Sequence, residues 1–313
     1  MVQYRSELPQ LSGDLFLTDG GLETTLIFHD GMELPDFAAF DALKHEAGQD
    51  AMLEYFCTYA SIARKQRVGV ILESPTWRAS QSWGDRLGYS SEALAEVNRE
   101  AIELLSDVRK EFYNGRSKIV ISGCIGPRGD GYNTTSRMTA DEAERYHTTQ
   151  IGTLSETEAD MVAALTMNYV EEAIGGSRAA KSAGMPVVIS FTVETDGRLP
   201  SGHTLKQAID TVDEATDNTP AYYMINCAHP THFMDVLDAD EPWSQRIRGV
   251  RTNASSKSHA ELDEAEELDD GNPTELASQC RELRNRLSNL NVFGGCCGTD
   301  HRHVAEIGKA CLS

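Results

Sequence analysis

Eight times along this 313-residue chain a short apolar run, rich in β-branched or aromatic residues, gives way to turn residues and then to a stretch of helical period. The runs are LFLTDGG from Leu15, VGVILESP from Val68, KIVISGCIGP from Lys118, ADMVAALT from Ala159, PVVISFTVE from Pro186, AYYMINCAHP from Ala221, RIRGVRTNAS from Arg246 and NVFGGCCGT from Asn291. Amphipathic stretches long enough for crossover helices run from Asp41 to Arg67, Ser91 to Tyr113, Thr139 to Glu156, Met167 to Ala183, Thr204 to Glu214, His232 to Leu237, Pro273 to Leu287 and His301 to Leu312. Continuous rather than alternating apolar runs belong to parallel strands buried on both faces. Eight βα units in a row predict an α/β fold of one kind, a (β/α)8 TIM barrel, built as a single domain over residues 1–313. A doubly wound open sheet would ordinarily need fewer units.

Composition narrows the partners. With 49 acidic against 28 basic residues the formal net charge is -21, which repels phosphate backbones and anionic membrane surfaces, and no Lys/Arg cluster offsets it. No nucleic acid and no membrane is therefore expected as a partner. The opening MVQYRSELPQLSGDL lacks the apolar core of a signal peptide, so a cytoplasmic location is expected. Association with a second copy into a homo-oligomer stays compatible with the sequence. Seven cysteines, an odd number at irregular spacing, point to reduced thiols or a metal site rather than to disulfides. The stretches TWRASQSWGDRLGYSS and SSKSHAELDEAEELDDGNP read as surface loops over the barrel mouth, the second with an acidic, solvated face.

In such a barrel the chemistry sits at the carboxyl ends of the strands. That rule singles out Cys227, at the end of the sixth run, and Cys296 with Cys297, at the end of the eighth. Only one strand lies between those two ends, so three sulfurs are able to share one mouth. Consecutive strand residues point to opposite faces, but Gly294, Gly295 and Gly298 let the backbone leave β geometry around the pair. Soft thiolates in a reducing compartment favour Zn2+, and three protein ligands leave a fourth position for substrate. A redox pair between Cys296 and Cys297 would close a strained ring and lacks the CxxC spacing. Cys57, Cys124, Cys280 and Cys311 fall on helices or inside strand runs and read as small buried apolar residues.

At these residues the chain resembles the homocysteine S-methyltransferase family of zinc-dependent barrels. The likeness is carried by TDGGLETTL (Thr18 to Leu26), SGCIGPRGDGY (Ser122 to Tyr132), SFTVETDGRLPSG (Ser190 to Gly202), INC (Ile225 to Cys227) and GGCCGT (Gly294 to Thr299). The resemblance implies a zinc-dependent methyl transfer from a sulfonium or ammonium donor to the thiol of homocysteine, giving methionine. It implies Cys227, Cys296 and Cys297 as the zinc ligands. Asp19, Gly20, Gly21, Glu23, Thr166 and Asn226 would line the substrate site, Asp19 meeting the ammonium and the glycine amides the carboxylate. No catalytic residue is expected beyond the zinc-activated thiol.

Two departures stand out. Many members end the fourth strand with an acidic residue before Thr, whereas Leu165 precedes Thr166 here, and the second strand carries ESPTWRAS in place of a segment ending in Tyr-Gln. A different thiol acceptor, or a zinc-binding partner module served by a separate corrinoid protein, are the competing readings. Glu73, Glu194 and Asp196 lie near strand ends, where acids are able to bind a cationic donor or simply to fix loops. Trp77 and Trp83 are candidates for cation-π cover of a methylonium group. His301 and His303 open the last helix, where capping is the plainer role.

Overall fold

A computed structural model of the chain describes residues 2–264 and 267–312. All eight expected strands form: β1 (Phe16–Leu17), β2 (Gly69–Glu73), β3 (Ile119–Ile125), β4 (Met161–Met167), β5 (Val187–Phe191), β6 (Tyr222–Ala228), β7 (Ile247–Thr252) and β8 (Val292–Gly295). They pair in parallel in sequence order and close on themselves, with Phe16 in register with both Gly69 and Val292. The fold is the expected single-domain (β/α)8 barrel.

The connecting helices are α1 (Glu46–Gln66), α2 (Ser91–Phe112), α3 (Ala140–Ser155), α4 (Val170–Ser182), α5 (Leu205–Thr216), α6 (Pro230–Phe233), α7 (Pro273–Arg286) and α8 (His301–Leu312). Their starts follow from local chemistry. Thr139 with Glu142 and Thr204 with Gln207 form reciprocal capping boxes that satisfy otherwise orphaned amides of α3 and α5. Along α2, Leu94, Val97, Ala101, Ile102, Leu105 and Val108 are buried at helical spacing, which turns one stripe onto the sheet. The two segments expected to be plain loops are more ordered than that. The first contains a helix at Gln81–Arg86, and the second a helix at His259–Asp263 opened by a Ser258–Glu261 capping box.

The apolar core is split in two. A large outer cluster fills the space between helices and sheet, and a smaller one, including Phe16, Ile71, Val120, Met161, Val188, Met224 and Val292, plugs the barrel interior. Leu8 joins that plug from below, and Gln10 donates to the Tyr222 hydroxyl at 3.3 Å, so the first residues stopper the amino-terminal end. Side chains alternate along a strand. Two residues above the plug on β2, β5 and β6 therefore stand Glu73, Ser190 and Asn226, with Arg251 in register with Asn226 on β7, all buried. An apolar plug thus gives way to a polar floor facing the opposite end.

Candidate active site

A cavity of about 500 Å³ opens at the carboxyl ends of the strands, and Cys227, Cys296 and Cys297 all line it. Their sulfur atoms lie within 4.8 Å of one another, an arrangement able to hold a metal ion. Two local devices bring them there. At the end of β6, Cys227 has a φ of 54°, in the left-handed region that L residues rarely adopt, and the pairing of β6 with β7 shifts register between Asn226 and Ala228. Beyond β8, the chain leaves the strand before Cys296 and turns at Gly298, whose φ is 77°. Gly294 and Gly295 serve a different need from the conformational freedom expected of them. A side chain at either would run into Thr18 or Thr299, so both glycines are there for close packing. Gly21 likewise lies where a Cβ would come within 2.6 Å of the Cys296 carbonyl oxygen.

The expectation is reduced thiols or a metal site: Cys227 and Cys296 stand at bonding distance, with Cα atoms 5.4 Å apart, and with Cys297 they form the group able to hold a metal ion. The same convergence that lets three sulfurs share a cation brings two of them within reach of each other. Cys280 and Cys311 are buried as expected, whereas Cys57 is only half-buried. Cys124 is buried too, but it also faces the cavity, and burial followed by Glu73 holds its thiol well above the usual range.

Neighbours orient the first sulfur. Asn226 Nδ2 donates to Cys227 Sγ at 3.2 Å and to Thr166 Oγ1 at 2.8 Å, while its Oδ1 accepts from Ser190 Oγ at 2.6 Å and from the Thr166 amide at 2.9 Å. Thr166 itself has a φ of 62°. Asn226 therefore works as a clamp between β4, β5 and β6. His259 Nε2 reaches the Cys227 carbonyl at 2.6 Å, fastening the segment after β7 over the mouth. Thr24 Oγ1 accepts from the Gly298 amide at 3.1 Å, tying the turn that carries Cys297 to the segment after β1.

The remaining expected residues line the same cavity. Asp19 is not a helix cap. Its Oδ2 accepts from the Tyr55 hydroxyl at 3.0 Å, and its Oδ1 pairs with Arg251 Nη2 at 2.7 Å. Burial raises the Asp19 carboxyl above its usual range, with Arg251 and Tyr55 opposing. The Gly21 amide is spent on the Thr299 carbonyl at 3.0 Å and is not offered to a substrate carboxylate. Gly20 accepts from Tyr55 and from Arg251, at 3.0 and 3.1 Å. Half-buried Glu23 lies in the short helix Leu22–Thr24, its carboxyl raised by burial.

Of the other candidates, Glu73 lines the cavity, whereas Asp196 fixes its own turn by accepting from the Arg198 amide at 3.0 Å. Trp83 is buried under Arg78 and Arg86, which stand 4.0 and 4.8 Å from its ring centre, so the cation cover expected of it is already taken by the protein. Trp77 does line the cavity, and its Nε1 donates to the Leu165 carbonyl at 3.3 Å. His303 is fully buried between Asp300 and the Asp270 carbonyl, which is a packing and capping role.

Arg251 was not singled out by the sequence, although a cation two residues past Gly249 in an apolar run is the available signal. Its guanidinium is buried, with Nε donating to the Gly295 carbonyl at 3.1 Å. Burial works against its charge, but Asp19 and then Glu73 outweigh it and raise its pKa.

A parallel eight-stranded barrel with three cysteine sulfurs gathered at its carboxyl mouth defines a class, that of (β/α)8 barrels whose mouth carries a cysteine cluster able to hold a metal ion. The sequence profile of the homocysteine S-methyltransferase family matches residues 16–311, and the chain belongs to that family. Among solved structures it is similar to the homocysteine methyltransferase MmuM from Escherichia coli. The oxidized form aligns with a TM-score of 0.77 at 15% identity, covering 95% of this chain and 96% of that one. The metallated form aligns at 0.75 and 14% identity with the same coverage, and the apo form at 0.69 and 15%. No curated protein sequence matches the chain.

Proposed function

We propose that residues 1–313 form a homocysteine-binding domain that transfers a methyl group from a cationic sulfonium or ammonium donor to the thiol of homocysteine, with Zn2+ held by Cys227, Cys296 and Cys297. The observation that carries this reading is the meeting of three sulfurs within 4.8 Å at the cavity wall. The donor set is soft and tripodal, which fits zinc with a position to spare. When bound, zinc would hold the incoming thiol as a thiolate, the nucleophilic form that a free thiol of pKa near ~8.5 scarcely populates at neutral pH.

The chain's own residues supply orientation and environment. Asn226 and Thr166 would steady the Cys227 sulfur, and Tyr55 with Arg251 hold Asp19 at the cavity edge. The cavity wall carries Asp19, Glu23, Glu73, Asp130, Glu267 and Asp269 against Arg78 and Arg251, a balance that favours a positively charged donor. In the transfer the sulfur-to-methyl bond forms as the donor's bond to that methyl breaks, and its electron pair stays on a neutral leaving molecule. Opposite charges disappear in that step, so an enclosed, water-poor site favours it. The cytoplasm, where thiols stay reduced, suits such a centre.

One observation keeps a second acceptor in view: Leu165, not an acid, lines the cavity beside Thr166. The test is to supply zinc-replete, reduced protein with homocysteine and, in turn, S-methylmethionine, S-adenosylmethionine, betaine or a dimethylsulfonio compound, and to measure methionine. Methionine with one or more donors is expected. Absence of product with every donor rejects the reading, and methylation of another thiol in place of homocysteine selects the second acceptor.

A further inference from the structure

Two buried groups of opposite charge line the mouth cavity and keep hydrogen-bonding atoms to spare. Glu73 is 4% exposed, and neither carboxyl oxygen makes a well-formed hydrogen bond, although Ser122 is its register partner on β3. Arg251 is 6% exposed; its Nε and Nη2 are committed to Gly295, Gly20 and Asp19, but Nη1 is left without an acceptor. Buried polar atoms left without a hydrogen bond are costly, and a ligand that completes them accounts for their retention. Both side chains rise from the polar floor, inside the ring of strands, and share the cavity with the three sulfurs. The residues beside them cannot do the same work. Asp19 already takes Arg251 Nη2 on one oxygen and the Tyr55 hydroxyl on the other, the Gly21 amide is used by Thr299, and the end of β4 offers Leu165.

We propose that Glu73 receives the ammonium and Arg251 Nη1 the carboxylate of an α-amino acid thiol whose sulfur is directed at the three cysteines. The proposal rests on the methyl-transfer reading and specifies how its acceptor is recognised. An amino acid with a side-chain thiol presents one cation, one anion and one sulfur, which are the three functions this cavity answers. A donor such as betaine or S-methylmethionine also carries a cation and a carboxylate, but only the acceptor must bring a free thiol to the three cysteines, which is why the acceptor is the better occupant.

Calorimetric titration of zinc-loaded, reduced protein with three probes tests this: homocysteine, 4-mercaptobutanoate, which lacks the amine, and 3-mercaptopropan-1-amine, which lacks the carboxylate. Glu73→Gln is expected to weaken homocysteine and the aminothiol by about 10- to 100-fold while leaving 4-mercaptobutanoate nearly unchanged. Arg251→Lys, which keeps a cation beside Asp19 but not the planar fork, is expected to weaken homocysteine and 4-mercaptobutanoate and to spare the aminothiol. Equal losses for all three probes in the Glu73 variant, or unchanged homocysteine binding, overturn the proposal, as does an effect confined to the donor's KM. The near-isosteric Glu73 variant decides the matter even where Arg251→Lys fails to fold. Failure of the wild-type protein to bind any of the three thiols overturns the methyl-transfer reading itself, an outcome distinct from the others.

Discussion

Glu73 illustrates how a single side chain reports the conflict between stability and function. Burial pushes its carboxyl up to about 7, with Arg251 and Ser122 pulling down and Asp19 pushing up. The folded state therefore binds a proton that the unfolded chain releases near the ordinary value of 4.5. Because the folded state is the more protonated, stability falls as pH rises from about 4.5 to about 7, by up to about 3 kcal/mol. Arg251, Asp19 and Cys124 face this group, and Arg251 keeps its charge throughout the window. Glu73→Gln removes the titration, so denaturant unfolding should find the variant more stable relative to wild type at pH 8 than at pH 5, by about 1–3 kcal/mol. An identical difference at both pH values would show that Glu73 does not titrate in that range. The sulfurs were legible in the sequence because strand ends and glycine turns mark them, and Asp19 and Asn226 because the family resemblance carries them. Arg251 was not, since its importance comes from which way β7 faces, and neither apolar content nor turn signals carry that.

At the level of elements, the strand ends rather than the strands decide the site. The turn after β8 depends on Gly298, at a φ of 77°, where a Cβ would also come within 2.7 Å of the Asp269 carbonyl oxygen. Gly298→Ala should therefore cost about 1–3 kcal/mol and displace Cys297. Thermal unfolding together with competitive zinc titration checks this, the expected result being a lower Tm and weaker zinc retention together. Unchanged zinc affinity would mean that the turn does not position its sulfur. The eight apolar runs predicted the strands because parallel strands buried on both faces need continuous apolar sequence. The segments 76–91 and 255–273 were read as loops because their apolar residues are sparse, yet each contains a short helix. Trp83 is buried, and half-buried Leu262 and Leu268 wall the cavity. The meeting of Cys227 with Cys296 was legible from the strand ends, but the left-handed kink at Cys227 that aims its sulfur was not.

For the molecule as a whole, the barrel separates folding from chemistry. The interior plug and the outer apolar cluster lie below and around the polar floor, and the sulfurs stand above it, Cys297 exposed. Losing a sulfur should then remove the metal without removing the fold. The direct measurement is the zinc content and methionine output of reduced, zinc-replete protein, for the wild type and for Cys227→Ser, Cys296→Ser and Cys297→Ala, with circular dichroism as the check on folding. One zinc per wild-type chain is expected, with metal and turnover lost together in each folded variant and restored in none by added zinc at stoichiometric concentration. A reduced wild-type chain that retains no zinc, or a zinc-free variant that still makes methionine, would contradict the account.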